Sequence, residues 1–139
     1  GLNLLQKYKK VNLVFPVNEY YSKGILRGFQ IFCQVNNLPF TIIDQLAENL
    51  VKQNEAFVLI SDDDLYRFIK ICKGKKWKLG KDVGVVAYND NQVKELLEDG
   101  ITTISTNHAE IGRTAAQMIL SKDFKRIKSP FEFVKRNSL

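Results

Sequence analysis

Asn18, Ser61, Asp62, Asn89, Asp90 and Thr106 carry side chains able to hydrogen-bond neighbouring hydroxyl groups, and Tyr20, Tyr21 and Tyr88 stand beside them in sequence. Amides and carboxylates set among aromatic walls are what a polar ligand of sugar size requires. Asn and Asp also favour loops and caps for backbone reasons of their own. Residue type leaves both readings open.

Covalent chemistry finds less to work with. The single histidine, His108, opens a helical stretch, whereas Cys33 and Cys72 fall on apolar helix faces. A nucleophile and its base must meet within hydrogen-bond reach, and this placement separates them. No Gly-x-Ser-x-Gly elbow occurs, and no glycine-rich phosphate loop follows any strand. The run Asp62-Asp63-Asp64 could hold a hard cation, but three carboxylates at a helix start also suit the helix dipole. A phosphoacceptor receiver would need acids after the first strand, where the chain reads Phe15-Pro16-Val17-Asn18. The residues therefore point to a binding protein without catalytic residues, metal or cofactor.

The bulk properties agree. One domain's worth of chain, 45% hydrophobic and 26% charged, is globular in composition and carries no membrane-length apolar run. Two cysteines far apart make neither a disulfide framework nor a paired metal motif, so both read as reduced core residues of a cytoplasmic protein. The net charge of +6 comes from scattered runs at 7–10, 73–81, 122–128 and 135–136. Only Tyr8 and Trp77 lie inside such runs, which suits solvated helix ends better than a nucleic-acid surface.

Positioning these residues falls to alternating elements. After a short helix at 2–9, apolar strands are expected at Val11–Phe15, Phe40–Ile43, Ala56–Ile60, Val83–Ala87, Ile101–Ser105 and Phe131–Val134. Between them, helical spacing marks Glu19–Asn36, a short piece around Leu46–Val51, Leu65–Cys72, a short piece around Val93–Leu97, and 107–120. Strand and helix in turn predict a three-layer α/β/α domain around a mostly parallel sheet. Ligands bind such sheets beyond the carboxyl ends of the strands, which selects the loops 16–23, 61–64 and 88–91.

Several stretches, in order, resemble the lactose-repressor/galactose-repressor family of bacterial regulators. They are Gly80-Lys81-Asp82-Val83-Gly84-Val85-Val86-Ala87-Tyr88-Asn89-Asp90, Ala56 to Asp63, Ile101-Thr102-Thr103-Ile104 with Ile111-Gly112-Arg113-Thr114-Ala115-Ala116, and the closing Phe133 to Ser138. Upstream, Tyr8 to Val14 and Leu26-Arg27-Gly28-Phe29 fit the start of that family's second lobe. Ser105-Thr106 and Asn137-Ser138-Leu139 look closest to gluconate-repressor (GntR) type regulators of Bacteroidetes, which join a winged helix-turn-helix to such a sensor.

The resemblance implies the C-terminal lobe of a periplasmic-binding-protein-like type I fold. Two lobes close on a small molecule, usually a sugar, and this lobe contributes to a homodimer. It implies residues 1–105 and 130–139 as the lobe proper and a helix at 107–121 that packs on the other lobe. Without that lobe, the helix should pack in a changed position on its own domain or on a second chain. The DNA-reading domain lies elsewhere in the parent protein. Ligand contacts would come from Asn18, Tyr20, Lys23, Ser61, Asp62, Asn89, Asp90 and Thr106. The family's arginine before Gly28 is Ile25 here, with Lys23 and Arg27 out of register. The alternative is a lobe of an extracytoplasmic sugar-binding protein serving a transporter.

Overall fold

Five parallel strands and one antiparallel edge strand make the sheet in a computed structural model of the chain, which describes residues 1–16, 21–123, 125–129 and 131–139. The strands are β1 (Lys10–Val14), β2 (Phe40–Ile43), β3 (Glu55–Leu59), β4 (Gly84–Tyr88), β5 (Thr102–Thr106) and β6 (Phe131–Val134). The helices are α1 (Leu2–Leu5), α2 (Lys23–Val35), α3 (Asp62–Gly74), α4 (Gln92–Leu96) and α5 (His108–Ser121). In space the strands run β2-β1-β3-β4-β5-β6. Val11 pairs with Phe40 on one side and Ala56 on the other, Ala56 with Gly84, and Val86 with Thr102. The expected three-layer α/β/α arrangement is thereby realised.

The unbroken apolar strands are explained by burial on both faces. In β3, Ala56 and Val58 enter the core beneath α1 and α2, while Phe57 and Leu59 enter the core beneath α3. Phe57 and Phe68 meet there with ring centroids 5.0 Å apart. Cys33 lies in the first core and Cys72 in the second, and burial pushes their thiols up to about 11 and about 12. The sheet separates the two cysteines, and neither thiol ionises near neutrality.

Several boundaries differ from expectation. The first helix stops at Leu5, and the piece expected around 46–51 is only a 3₁₀ turn at Glu48–Leu50. Leu46 and Val51 still enter the core without helical backbone, whereas Leu50 is exposed. Val83 precedes β4, making a bridge to Leu79. Among the described residues no helix is long and apolar enough to cross a membrane.

α5 is the exception to close packing. It is capped by Asn107, whose Oδ1 accepts from the Glu110 N–H at 2.9 Å, yet none of its residues is buried. Ile111, Ala115 and Met118 face the stretch 125–129 across a depression of about 340 Å³. Ile119 and Leu120 are largely exposed. Among the described residues, the stretch 125–129 lines that depression with α5.

Candidate functional site

A cleft of about 450 Å³ opens where α/β geometry predicts it, beyond the carboxyl ends of β3, β4 and β5. Its polar lining comes from Ser22, Asn89 and Thr106, and its aromatic walls from Tyr21, Tyr88 and Phe131. Ile25 and Ile60 supply an apolar floor.

Local sequence accounts for each wall. Ser22 caps α2 by accepting from the Gly24 N–H at 3.2 Å, which fixes the helix start at the cleft edge. Tyr21 rests against Phe15 with centroids 6.4 Å apart. Tyr88 ends β4 and packs on Phe131 at 6.2 Å. Burial holds the Tyr88 phenol above its ordinary value, so it stays a neutral donor and acceptor at physiological pH. Asn89 adopts φ 59, and its N–H donates to the Ile104 carbonyl at 2.9 Å. The left-handed region is one that Asn tolerates better than most residues, which suits it to this turn. Thr106 closes β5, directly paired with Phe131.

The structure disperses the remaining sequence candidates. Lys23 is exposed as the first residue of α2, between two cleft-lining neighbours. Ser61 caps α3 by accepting from the Asp63 N–H at 3.1 Å, and lines a separate depression with Pro16, Asp44 and Arg67. Asp62 turns towards a groove between α3 and α4, where Lys94 Nζ lies 2.7 Å from its Oδ1. Asp63 and Asp64 line the depression beside Ser61 instead, so the acidic run is divided between two surfaces. Asn18 and Tyr20 lie outside the described residues.

Asp90, expected as a ligand contact, is engaged by Arg136 and Thr103. Its carboxylate accepts from Arg136 Nη1 at 2.6 Å, from Arg136 Nη2 at 2.9 Å and from the Thr103 hydroxyl at 2.9 Å. The Arg136 hydrogen bonds hold the Asp90 carboxyl below its ordinary value, with Thr103 assisting and partial burial opposing. Among the described residues, Asn89 and Thr106 are thus the two sequence candidates that line the cleft itself.

Phe131 was invisible as a cleft residue because its place depends on the antiparallel pairing of β6, which no local pattern reveals. Lys94 was equally hidden. It sits on a short amphipathic turn where a lysine reads as solvent-facing, yet its side chain is 3% exposed.

The sequence profile of the periplasmic binding protein-like domain matches residues 5–130. No curated protein sequence matches the chain. Among solved structures, the chain is similar to a LacI family transcriptional regulator from Bifidobacterium animalis, with 17% identity over 99% of this chain and 58% of that one, TM-score 0.77. A LacI family regulator from Enterococcus faecium with bound ribose gives 18% identity over 99% and 59%, TM-score 0.73. The lac repressor dimer bound to operator and the anti-inducer ONPF gives 18% over 99% and 47%, TM-score 0.72. The chain therefore spans roughly half the length of these relatives, and at such identity the likeness is one of fold.

Proposed function

Because the chain belongs to the periplasmic binding protein-like domain family, we propose that it is the C-terminal effector-binding lobe of a bacterial transcription regulator that senses a small polar molecule, a sugar. The observation that carries this reading is the cleft beyond β3–β5, with Ser22, Asn89 and Thr106 set among Tyr21, Tyr88 and Phe131. A concave site with few polar groups on aromatic walls suits recognition of hydroxyls above ring faces. The ribose held by the Enterococcus faecium relative supports a sugar.

In this reading residues 1–105 and 130–139 form the lobe proper, and α5 belongs with the other lobe. The bare apolar face of α5, with Ile119 and Leu120 largely exposed, supports that assignment. Closure of the two lobes on the effector makes contacts absent from the open state, and those differential contacts shift the equilibrium. DNA is read by a separate domain, a winged helix-turn-helix of gluconate-repressor type. Two copies present that domain together as a homodimer. Tyr66, Val93 and Leu96, each exposed along α3 and α4, support self-association through this face. The lobe performs no reaction, and its effector acts only through binding.

The test is a thermal-shift screen of the parent protein against sugars and sugar acids. An effector at 100 times its dissociation constant adds about 2.7 kcal/mol of stability. Asn89→Ala and Thr106→Ala should each abolish the shift without unfolding the protein. A shift that survives both substitutions would remove the cleft from the reading. The transporter-lobe alternative is favoured by the periplasmic binding character of the family and is decided separately. An effector that changes affinity for DNA supports the regulator, whereas a parent protein that binds sugar and no DNA supports the transporter.

A further inference from the structure

Lys94 is the most deeply buried charged side chain among the described residues that any site above leaves unused, at 2% exposure. Its ammonium lies 2.6 Å from the Tyr88 carbonyl oxygen, 2.6 Å from that of Asn89 and 2.7 Å from Asp62 Oδ1. Taking an ammonium out of water costs several kcal/mol unless it is paired and hydrogen-bonded, and these three acceptors use all three of its donors.

The two carbonyls belong to consecutive residues. In an extended strand, successive residues face opposite ways. The φ of 59 at Asn89 breaks that alternation, and both carbonyls then converge on one ammonium. Those same residues carry the Tyr88 wall and the Asn89 amide of the cleft. On its other side, Lys94 lines the groove between α3 and α4 with Asp62 and Val93. A leucine would fill the space and leave the turn unheld.

We propose that Lys94 is the positioning residue of the cleft. Its ammonium, anchored by Asp62, locks the Tyr88–Asn89 turn in the left-handed geometry that presents Asn89, and so ties the cleft to the α3–α4 groove. The inference rests on the reading of the cleft as the effector site. Asp62, expected from sequence to touch ligand, instead acts one step behind it.

Amide spectra and hydrogen exchange of the full chain, taken without effector, test this. In Lys94→Met the Asn89 and Asp90 amides should exchange about tenfold faster, while those of β1 and β3 keep their wild-type rates. Asp62→Asn should move the Asn89 amide in the same direction by less, although Asp62 does not line the cleft. Asp62→Glu, which keeps the carboxylate, should retain the wild-type signal. If Lys94→Met fails to fold, the two Asp62 variants decide, since that side chain is 68% exposed. An unchanged Asn89 amide in Asp62→Asn, or acceleration spread evenly through β1 and β3, overturns the proposal. A cleft that binds no sugar would overturn the effector reading and leave these amide results standing.

Discussion

Arg136 grips Asp90 with both arms of its guanidinium across 46 positions of sequence, Nη1 to Oδ1 at 2.6 Å and Nη2 to Oδ2 at 2.9 Å. Nη1 also donates to the Ile101 carbonyl at 2.9 Å. One side chain thus joins the turn after β4, the start of β5 and the segment after β6.

Both partners are less than one-third exposed, which places the pair between surface and buried ion pairs. Arg136→Gln and Asp90→Asn should each cost about 2 kcal/mol, with strong coupling in a double-mutant cycle by urea denaturation. The pH dependence follows from the lowered Asp90 value. A carboxyl whose folded value lies below its unfolded one contributes stability above the unfolded value and loses it as pH falls through the folded one. Starting from an ordinary 3.8, that loss belongs below about pH 4. Melting temperatures of the wild type should therefore fall more steeply in acid than those of Asp90→Asn.

Tyr8 lies over Gly84, where an added Cβ would come within 2.5 Å of the ring. Gly84→Ala should destabilise by about 1–3 kcal/mol through overpacking. The Tyr8 hydroxyl is buried with no hydrogen-bond partner among the described residues. Tyr8→Phe should be neutral or stabilising by up to about 1 kcal/mol, as read from chemical denaturation.

Burial also pushes the Tyr8 phenol from 10.0 up to about 12. A value raised on folding contributes stability that is complete below the unfolded value and lost as pH rises through the folded one. Between pH 10 and about 12 the wild type should therefore lose stability faster than Tyr8→Phe. Phenolate absorbance recorded alongside unfolding checks this.

Ser138 is fully buried and joins two strands. Its hydroxyl donates to the Val85 carbonyl at 2.7 Å and accepts from the Thr102 N–H at 2.8 Å. Ser138→Ala leaves both backbone groups unpaired and should cost about 2 kcal/mol in a thermal or urea melt.

Leu96 is 83% exposed beside Val93 at 68%, and Tyr66 stands on the facing helix at 70%. If this face joins two copies, Leu96→Glu should convert dimer to monomer in sedimentation experiments with little change in melting of the monomer. A wild type that is monomeric at all concentrations would end that part of the reading.

Much of the fold was legible because burial imposes local patterns. Ala56–Ile60 and the run before Tyr88 are continuous apolar strands, and continuous apolarity means cover on both faces. Ile25, Phe29 and Cys33 fall at helical spacing along α2, and Ser61, Asn91 and Asn107 cap three helix starts. The position of the candidate cleft was legible, since loops at the carboxyl ends of parallel strands are where such sheets bind ligands.

Sequence by itself determined the order and type of the elements, the apolar layers and the end of the sheet where a ligand would sit, because each follows from a short-range period or cap. Which polar residues remain free to meet that ligand was decided only by tertiary structure. Asp90 and Asp62 look identical to ligand carboxylates along the chain, yet Arg136 claims the first from 46 residues away and Lys94 the second from across the α3–α4 groove. Phe131 joins the cleft because β6 returns antiparallel beside Thr106. Long-range pairing of charges and strands leaves no periodic trace in the sequence, so it is settled only when the chain folds.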